Sequence, residues 1–160
     1  MSFSGQVSRI LDEEHRSNLD LLGKIEQALT RAPRFDPALS GLIGQFARAL
    51  EHDIGRHFKF EEDELFPLME EGGDGEMAGL MLEEHQAIRE VAAELLPVAR
   101  AAAAGAIDEA GWALLRRSSL ELVERQVAHI QKETMALLPL LDDLLDEEKD
   151  RELAFAYASE

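Results

Sequence analysis

Two histidine–glutamate pairs constrain this chain more than any other feature of its sequence. The pairs are His57 with Glu61 and His129 with Glu133, and the same spacing separates the members of each. In an α-helix, positions i and i+4 lie one turn apart on nearly the same face. Each pair therefore presents an imidazole and a carboxylate side by side on one helix.

A lone histidine precedes each pair along the chain. His15 ends the string Leu-Asp-Glu-Glu-His before the first pair, and His85 ends Leu-Glu-Glu-His before the second. The order is His, then His-x3-Glu, written twice. Such a repeat predicts two helical hairpins related by a pseudo-twofold axis, with a shared site between them.

Apolar residues recur at steps of three and four along four segments, and the histidines and glutamates of the repeat lie on these stripes. Steps of this kind predict amphipathic helices. The stripes run Val7, Leu11, His15, Leu19, Leu22, Ile25 and Leu29; Ile43, Phe46, Leu50, Ile54, His57, Glu61, Leu65 and Leu68; Leu80 or Met81, His85, Ile88, Ala92, Leu95 and Ala99; and Leu115, Leu122, Gln126, His129, Glu133, Leu137 and Leu140. No stretch of useful length alternates between apolar and polar residues with a period of two, so no sheet is predicted.

Turn signals separate the four segments. Asp36 and Asp108 are predicted helix N-caps, and the glycine-rich run at 72–75 predicts the end of the first hairpin. Pro67 and Pro139 are expected to disturb the last turns of the second and fourth helices.

The predicted fold is all-α, an up-down-up-down four-helix bundle with a short C-terminal helical tail. The length favours one domain, residues 1–160. Within it, the helix hairpins are expected at about 4–72 and 76–145, and the tail at 146–160.

The charge balance excludes several classes of partner. The chain has 33 acidic residues against 16 Lys and Arg, and a net charge of −17. Such a surface repels phosphate backbones and anionic lipids, so neither a nucleic acid nor a membrane is expected as a partner. There is no cysteine, which excludes disulfides and thiolate metal sites. Without a membrane-length apolar run or a signal-peptide pattern, a cytoplasmic location is expected.

Two carboxylates on apolar stripes, Glu61 and Glu133, predict a metal site. An unpaired buried carboxylate costs several kcal/mol, and without metal its pKa is expected to rise until it takes up a proton or admits water. The six candidate metal ligands are His15, His57, Glu61, His85, His129 and Glu133. This nitrogen–oxygen set suits two borderline metal ions. If both carboxylates bridge, each ion receives two imidazoles and two carboxylate oxygens, and a position stays open for a small molecule.

Simpler interpretations of single residues compete with this one. A lone histidine on an apolar face is more often a hydrogen-bonded core residue, and one His-x3-Glu pair is weak evidence; the joint pattern carries the metal hypothesis. His52 lies about 140° around the helix from His57, so we assign it to the outer face or to contacts behind the ligands. Glu14 and Glu84 lie about 100° off the inward stripes, and we expect them to be solvent-exposed.

The ordered pattern of His and His-x3-Glu resembles the hemerythrin-like, or HHE cation-binding, domain, over about residues 4–145. The resemblance implies a four-helix bundle that holds an oxo-bridged di-iron centre. It also implies that all six candidate residues are iron ligands, with Glu61 and Glu133 as bridges. Ferritin-like di-iron bundles, the nearest rival, use Glu-x2-His motifs with lone glutamates, and no pair here is arranged in that way.

Two departures from the oxygen-carrying hemerythrins refine the resemblance. Those proteins have a fifth histidine ligand where this chain has Arg89, and a His-x4-Asp motif where it has His129 and Glu133. The chain is therefore more similar to the bacterial four-histidine branch. Members of that branch are linked to sensing or handling oxygen, nitric oxide or peroxide, to repair of iron centres, or to iron storage.

The leading hypothesis is a non-haem di-iron protein, with two iron ions and a bridging oxo or hydroxo group, that binds, senses or reduces a small ligand such as oxygen, nitric oxide or peroxide. Zinc or another divalent metal is a candidate substitute. An iron store, iron donor or metal-sensing module without turnover is the alternative, and a zinc-binding structural bundle is a third hypothesis. Whether the protein is an enzyme stays open, and no catalytic residue or protein partner is assigned.

Overall fold

The computed structural model describes residues 3–159, and within that range the chain is helical and contains no strand. Its α-helices are α1 (Gln6–Arg31), α2 (Ser40–His52), α3 (Phe66–Glu71), α4 (Gly75–Ala103), α5 (Glu109–Lys132), α6 (Leu138–Leu144) and α7 (Glu147–Ala158). A 3₁₀ turn covers Pro37–Leu39, and π-helical segments cover Asp53–Phe58, Glu61–Leu65 and Glu133–Leu137. The predicted all-α fold is confirmed.

The π-helical segments join α-helices into longer stretches. Residues 40–71 run from α2 to α3 without a break in helical structure, and residues 109–144 run from α5 to α6 in the same way. With α1 and α4 they make four long helical stretches, which are the four segments with apolar stripes. None of the described helices is long and apolar enough to cross a membrane.

The turns follow the predicted chemistry. Asp36 accepts a hydrogen bond from the backbone N–H of Ala38 at 3.0 Å, and Asp108 accepts one from the N–H of Gly111 at 2.7 Å. Both predicted N-caps are therefore confirmed. Gly73, in the predicted break at 72–75, has a φ of +92°, a conformation that glycine adopts far more readily than other residues.

Pro67 and Pro139 each occupy the first turn of a short helix, α3 and α6, directly after a π-helical segment. Proline has no N–H to donate, and its ring collides with the carbonyl four residues earlier. In both cases that carbonyl lies inside the π-helical segment. The predicted disturbance is therefore a widened turn within a continuous helical stretch, a common place for functional side chains.

The long stretches pack through two apolar clusters separated by a polar layer. α4 packs against α5 and α2, and α1 packs against α5 and α2. Buried residues such as Ile25, Leu95 and Leu122 belong to one cluster, while Leu11 and Leu137 belong to the other. The candidate ligands lie between the clusters along every stretch, so the core itself encloses them.

The C-terminal tail is a helix, α7, that caps the N-terminal end of α1. α7 packs against α1, and Asp150 accepts hydrogen bonds from the backbone N–H groups of Gln6 and Val7 at 2.8 and 3.0 Å. The N-cap residue of α1 is Gly5, which has no side chain to accept a hydrogen bond. The tail therefore supplies the acceptors for two free N–H groups in the first turn of α1. Phe155, in α7, is 75% exposed.

Candidate metal centre

Six buried polar side chains meet in the layer between the apolar clusters. They come from α1, from residues 40–71, from α4 and from residues 109–144, and none is more than 2% exposed. They are His15, His57, Glu61, His85, His129 and Glu133. The structure thus brings together all six residues that the repeat pattern indicates.

On one side of the centre, two imidazoles face the two glutamates through Nε2. His15 Nε2 lies 2.9 Å from Glu133 Oε1. His57 Nε2 lies 3.3 Å from Glu61 Oε2 and 3.7 Å from Glu133 Oε1. One potential ligand atom from each of these four residues lies within 4.8 Å of the others, which is close enough to share one cation.

The other side repeats this arrangement with the second pair of histidines. His85 Nε2 lies 3.1 Å from Glu61 Oε1 and 3.8 Å from Glu133 Oε2. His129 Nε2 lies 3.2 Å from Glu133 Oε2. These four residues form a second set within the same 4.8 Å limit, and both sets contain both glutamates. The geometry therefore offers two adjacent cation positions with two carboxylates in common.

The outward nitrogens of two imidazoles bind carboxylates that we expected in solvent. His57 Nδ1 lies 3.0 Å from Glu14 Oε2, and His129 Nδ1 lies 2.8 Å from Glu84 Oε1. The expectation of solvent-exposed Glu14 and Glu84 is therefore wrong. Positions off the inward stripe of one helix face the neighbouring helix in a packed protein, and each glutamate there meets the histidine of the next stretch.

The remaining two imidazoles are held in the same way by residues that follow the paired glutamates. His85 Nδ1 lies 2.7 Å from Glu62 Oε2, and His15 Nδ1 lies 3.0 Å from Thr134 Oγ1. A hydrogen bond donated by Nδ1 fixes the ring and directs the Nε2 lone pair inward, as in metal-bound histidines. Sequence reasoning did not find Glu62 or Thr134; their one signal is the position directly after Glu61 and Glu133.

Each outer carboxylate has a further donor of its own. Glu84 binds Lys132, and Glu62 binds Arg89 at 2.8 Å. Glu14 accepts hydrogen bonds from His52 at 2.9 Å and from Tyr157. Burial would raise the pKa of Glu14, but the hydrogen bonds from His57, Tyr157 and His52 lower it to about 2. His52, 44% exposed, lies behind Glu14, so its assignment outside the ligand cluster is confirmed.

Asp53 is a buried acidic residue that sequence analysis missed. It is 4% exposed, it binds Gln126 and Asn18, and its Oδ1 lies 3.5 Å from His57 Nδ1. The predicted stripe placed Ile54 at this point, but Ile54 is only partly buried. The available signal was the spacing, since Asp53 precedes His57 by the interval that separates His57 from Glu61. Asp53 and Gln126 also border an apolar cavity of about 20 Å³, which is room for one water.

Aromatic rings cover the His85 side of the centre. The ring of Phe58 stacks on His85 with 3.8 Å between centroids and 4° between planes, and Phe66 lies 5.5 Å from the same imidazole. The guanidinium of Arg89 lies over the ring of Phe58, 5.6 Å from its centroid. These rings keep water from the imidazole and hold its plane.

The carboxylates overcome the effect of burial on the imidazoles. Burial lowers the pKa of His57, but Glu61 raises it well above 6.5. Burial also lowers the pKa of His85, but the facing Glu133 and Glu61 raise it to about 10. The pKa of His129 is raised as well, chiefly by the charge of Glu133 against the effect of burial.

The surrounding imidazoles favour the ionised form of Glu133 and hold its pKa low, contrary to the expectation that the pKa of a buried, metal-free carboxylate rises. Burial raises its pKa, but the charge of the adjacent His129, with the close contacts of His15 and His57, holds the pKa well below 4.5. The expectation considered burial alone and omitted the pairing with imidazolium groups. The raised pKa values of His57, His85 and His129 favour their protonated forms, so a metal ion competes with protons for these imidazoles.

Five polar atoms at the centre have no hydrogen-bond partner. They are Glu61 Oε1 and Oε2, His85 Nε2, His129 Nε2 and Glu133 Oε2. Buried polar atoms are nearly always hydrogen-bonded, and exceptions call for a specific explanation such as an ion. Here the unpaired atoms face one another: His85 Nε2 lies 3.1 Å from Glu61 Oε1, and His129 Nε2 lies 3.2 Å from Glu133 Oε2. The donor set therefore fits metal ions.

A helical protein with this buried histidine–glutamate centre belongs to the class of helical cation-binding proteins. The family model for the hemerythrin HHE cation binding domain matches residues 6–141. The chain therefore belongs to the hemerythrin HHE cation-binding family, as its sequence pattern indicated. A comparison with curated proteins gives no match.

Proposed function

We propose that this chain is a di-iron protein whose long helical stretches form an up-down-up-down four-helix bundle. His15 and His57 would hold one iron ion and His85 and His129 the other, with Glu61 and Glu133 shared and an oxo or hydroxo group as a further bridge. The observation that carries the proposal is the overlap of the two ligand sets in both glutamates.

When bound, the iron pair supplies a redox-active centre with a coordination position open to a small molecule. The surrounding residues orient the imidazole ligands and exclude water from the centre. The partners of the four Nδ1 atoms hold the imidazole planes, and Phe58 and Phe66 exclude water from the His85 side. A protein of this kind binds, senses or reduces oxygen, nitric oxide or peroxide, and this is the function that we propose.

Two other functions use the same residues. An iron store, iron donor or metal sensor would bind iron without turnover. A structural zinc bundle is favoured by one observation, the four protein ligands in each set, because four is the number that zinc takes in structural sites. The cytoplasmic location, the single-domain organisation and the lack of nucleic-acid and membrane partners stay predictions.

Metal analysis and absorption spectra separate these functions. Protein expressed with iron should approach two iron ions per chain, and a plateau at one would exclude the paired centre. An oxo-bridged ferric pair absorbs in the near ultraviolet and the visible range, whereas a zinc protein is colourless. Consumption of peroxide or nitric oxide by the iron-loaded protein then separates a reductase from a store or sensor.

A further inference from the structure

Tyr157 connects the C-terminal helix to one half of the candidate metal centre. This residue, the single tyrosine of the chain, is 3% exposed. Its hydroxyl lies 2.6 Å from Glu14 Oε2 and 2.9 Å from Glu14 Oε1. Glu14 in turn accepts the hydrogen bond of His57 Nδ1. Tyr157 lies beyond residue 141, where the family match ends, so the contact is an addition to the matched domain.

We propose that Tyr157 is a positioning residue for the metal position of His15 and His57, so that the hydroxyl group carried by α7 sets how firmly that position alone holds its ion. The inference rests on the proposed two-metal centre. A phenol that binds a carboxylate fixes the carboxylate, and the carboxylate fixes the plane of the imidazole. Loss of such outer partners typically weakens metal binding 10- to 100-fold.

The tyrosine is anchored to the same segment that carries the ligands. Arg56 donates a hydrogen bond to the backbone carbonyl of Tyr157, and its guanidinium lies 5.0 Å from the centroid of the tyrosine ring. The ring of Phe60 lies 4.7 Å from that of Tyr157. Arg56 and Phe60 flank His57 in the sequence, so α7 is fixed relative to this imidazole from two sides.

The other half of the centre has an equivalent connection that does not involve the tail. There Lys132 binds Glu84, and Glu84 accepts from His129 Nδ1. Lys132 is 51% exposed and lies at the end of α5. Tyr157 and Lys132 thus play the same part for different imidazoles, and each can be removed without touching the other connection.

The test compares metal release from wild type, two single variants and their double variant. Wild type, Tyr157→Phe and Lys132→Met are loaded with Fe²⁺ without oxygen, and transfer to a chelator is followed in time. In Tyr157→Phe, half of the metal should leave about 10-fold faster or more, and the other half at the wild-type rate. In Lys132→Met the half that leaves fast should come from the position of His85 and His129. The double variant Tyr157→Phe with Lys132→Met should therefore release all of its metal fast.

A double-mutant cycle assigns the path. Glu14→Gln combined with Tyr157→Phe should release metal no faster than Glu14→Gln alone, because both changes act through His57. Glu84→Gln combined with Tyr157→Phe should add the two effects. Asp150→Ala serves as the control for tail docking far from the centre, and it should lower thermal stability while leaving metal release unchanged.

Several results would overturn the proposal. Tyr157→Phe could speed the release of all the metal or of none, or its effect could add fully to that of Glu14→Gln. In each case the protein still binds two ions, so the proposed function stands. A wild-type chain that binds fewer than two ions would instead overturn the proposed function, and this inference with it.

Discussion

Glu61 and Glu133 belong to both ligand sets, whereas His15 belongs to one. Removal of a shared carboxylate weakens both cation positions, and removal of a terminal imidazole weakens one. We therefore expect Glu61→Ala or Glu133→Ala to lower iron content further than His15→Ala does, toward none instead of about one ion per chain. Elemental analysis of protein expressed with iron measures the difference.

His52 provides the matched control among the histidines. It lies behind Glu14 and is 44% exposed, and Glu14 keeps its hydrogen bond from Tyr157 when His52 is removed. His52→Ala should therefore retain the wild-type iron content. Loss of iron from this variant would show that the ligand set has been assigned wrongly.

The six candidate ligands could be proposed from sequence because their spacing and their place on apolar stripes are both properties of a single helix. Their outer partners could not. Glu14 and Glu84 lie off the inward stripes, and only the packing of neighbouring helices decides whether such positions face water or another side chain. Asp53 was missed for a related reason, since its burial depends on donors from two other helices, Asn18 and Gln126.

The ion pairs at the centre give the metal-free protein a stability that depends on pH. The pKa of His85 is raised from 6.5 to about 10, against the effect of burial. Its contribution is complete below pH 6.5 and is lost as the pH rises through about 10. We expect the free energy of unfolding of metal-free protein, from urea titrations, to fall by about 2 kcal/mol or more between pH 6 and pH 10.

The double variant Glu61→Gln with Glu133→Gln tests the origin of that loss. These carboxylates are the principal groups that raise the pKa of His85, and the amides keep nearly the same shape without the charge. The metal-free double variant should lose much less stability between pH 6 and pH 10. An unchanged alkaline loss would assign the effect to groups outside the centre.

At the scale of helices, the prolines were informative but incomplete signals. Pro67 and Pro139 predict disturbed helical turns, and the turns before them are indeed π-helical. A third π-helical segment, Asp53–Phe58, contains no proline. Its weakest helix former is Gly55, and it includes His57, which lies against Glu61, Glu133 and His15. This π-helical segment therefore coincides with tertiary contacts at the site, and local helix propensity does not predict it.

The junction of α7 with α1 is a second feature that depends on long-range contacts. Asp150 caps the first turn of α1 through two backbone N–H groups. Asp150→Ala should lower the free energy of unfolding by about 1 kcal/mol, the usual cost of a lost cap. Glu148→Ala, an exposed change in the first turn of α7, should have a smaller effect. Equal losses in urea titrations would mean that the charge in α7, rather than the contact with α1, is what matters.

In the whole molecule, a polar layer divides the core into two apolar clusters. The stripes predicted most of the cluster that contains Ile25 and Leu95, because burial of an amphipathic helix follows its period. They predicted only a minority of the cluster that contains Leu11 and Leu137, to which α7 and the short helices α3 and α6 also contribute. The layer is the part of the core that apolar packing does not stabilise. Its contribution comes from charge pairing, and four helical stretches meet there. What occupies the layer, metal ions or protons, should therefore affect the stability of the entire protein.

Removal of metal should lower the melting temperature, and by more at high pH than at low pH. Metal binds the folded centre far better than the unfolded chain and stabilises the fold by mass action. At pH 6, protons on the imidazoles compensate Glu133 in the metal-free state. At pH 9 this compensation has begun to fail, and metal competes with fewer protons than at pH 6. We expect a difference between loaded and metal-free protein on the order of 10 °C at pH 9, and a smaller one at pH 6.

Calorimetry of both forms at the two pH values measures this difference, and the double variant Glu61→Gln with Glu133→Gln is the control. Without its two shared carboxylates the variant should bind no metal, so a metal-loading treatment should not change its melting temperature at either pH. An equal effect of metal on wild type at pH 6 and pH 9 would mean that protons do not substitute for metal in the polar layer. The stability of that layer would then come from the helices around it.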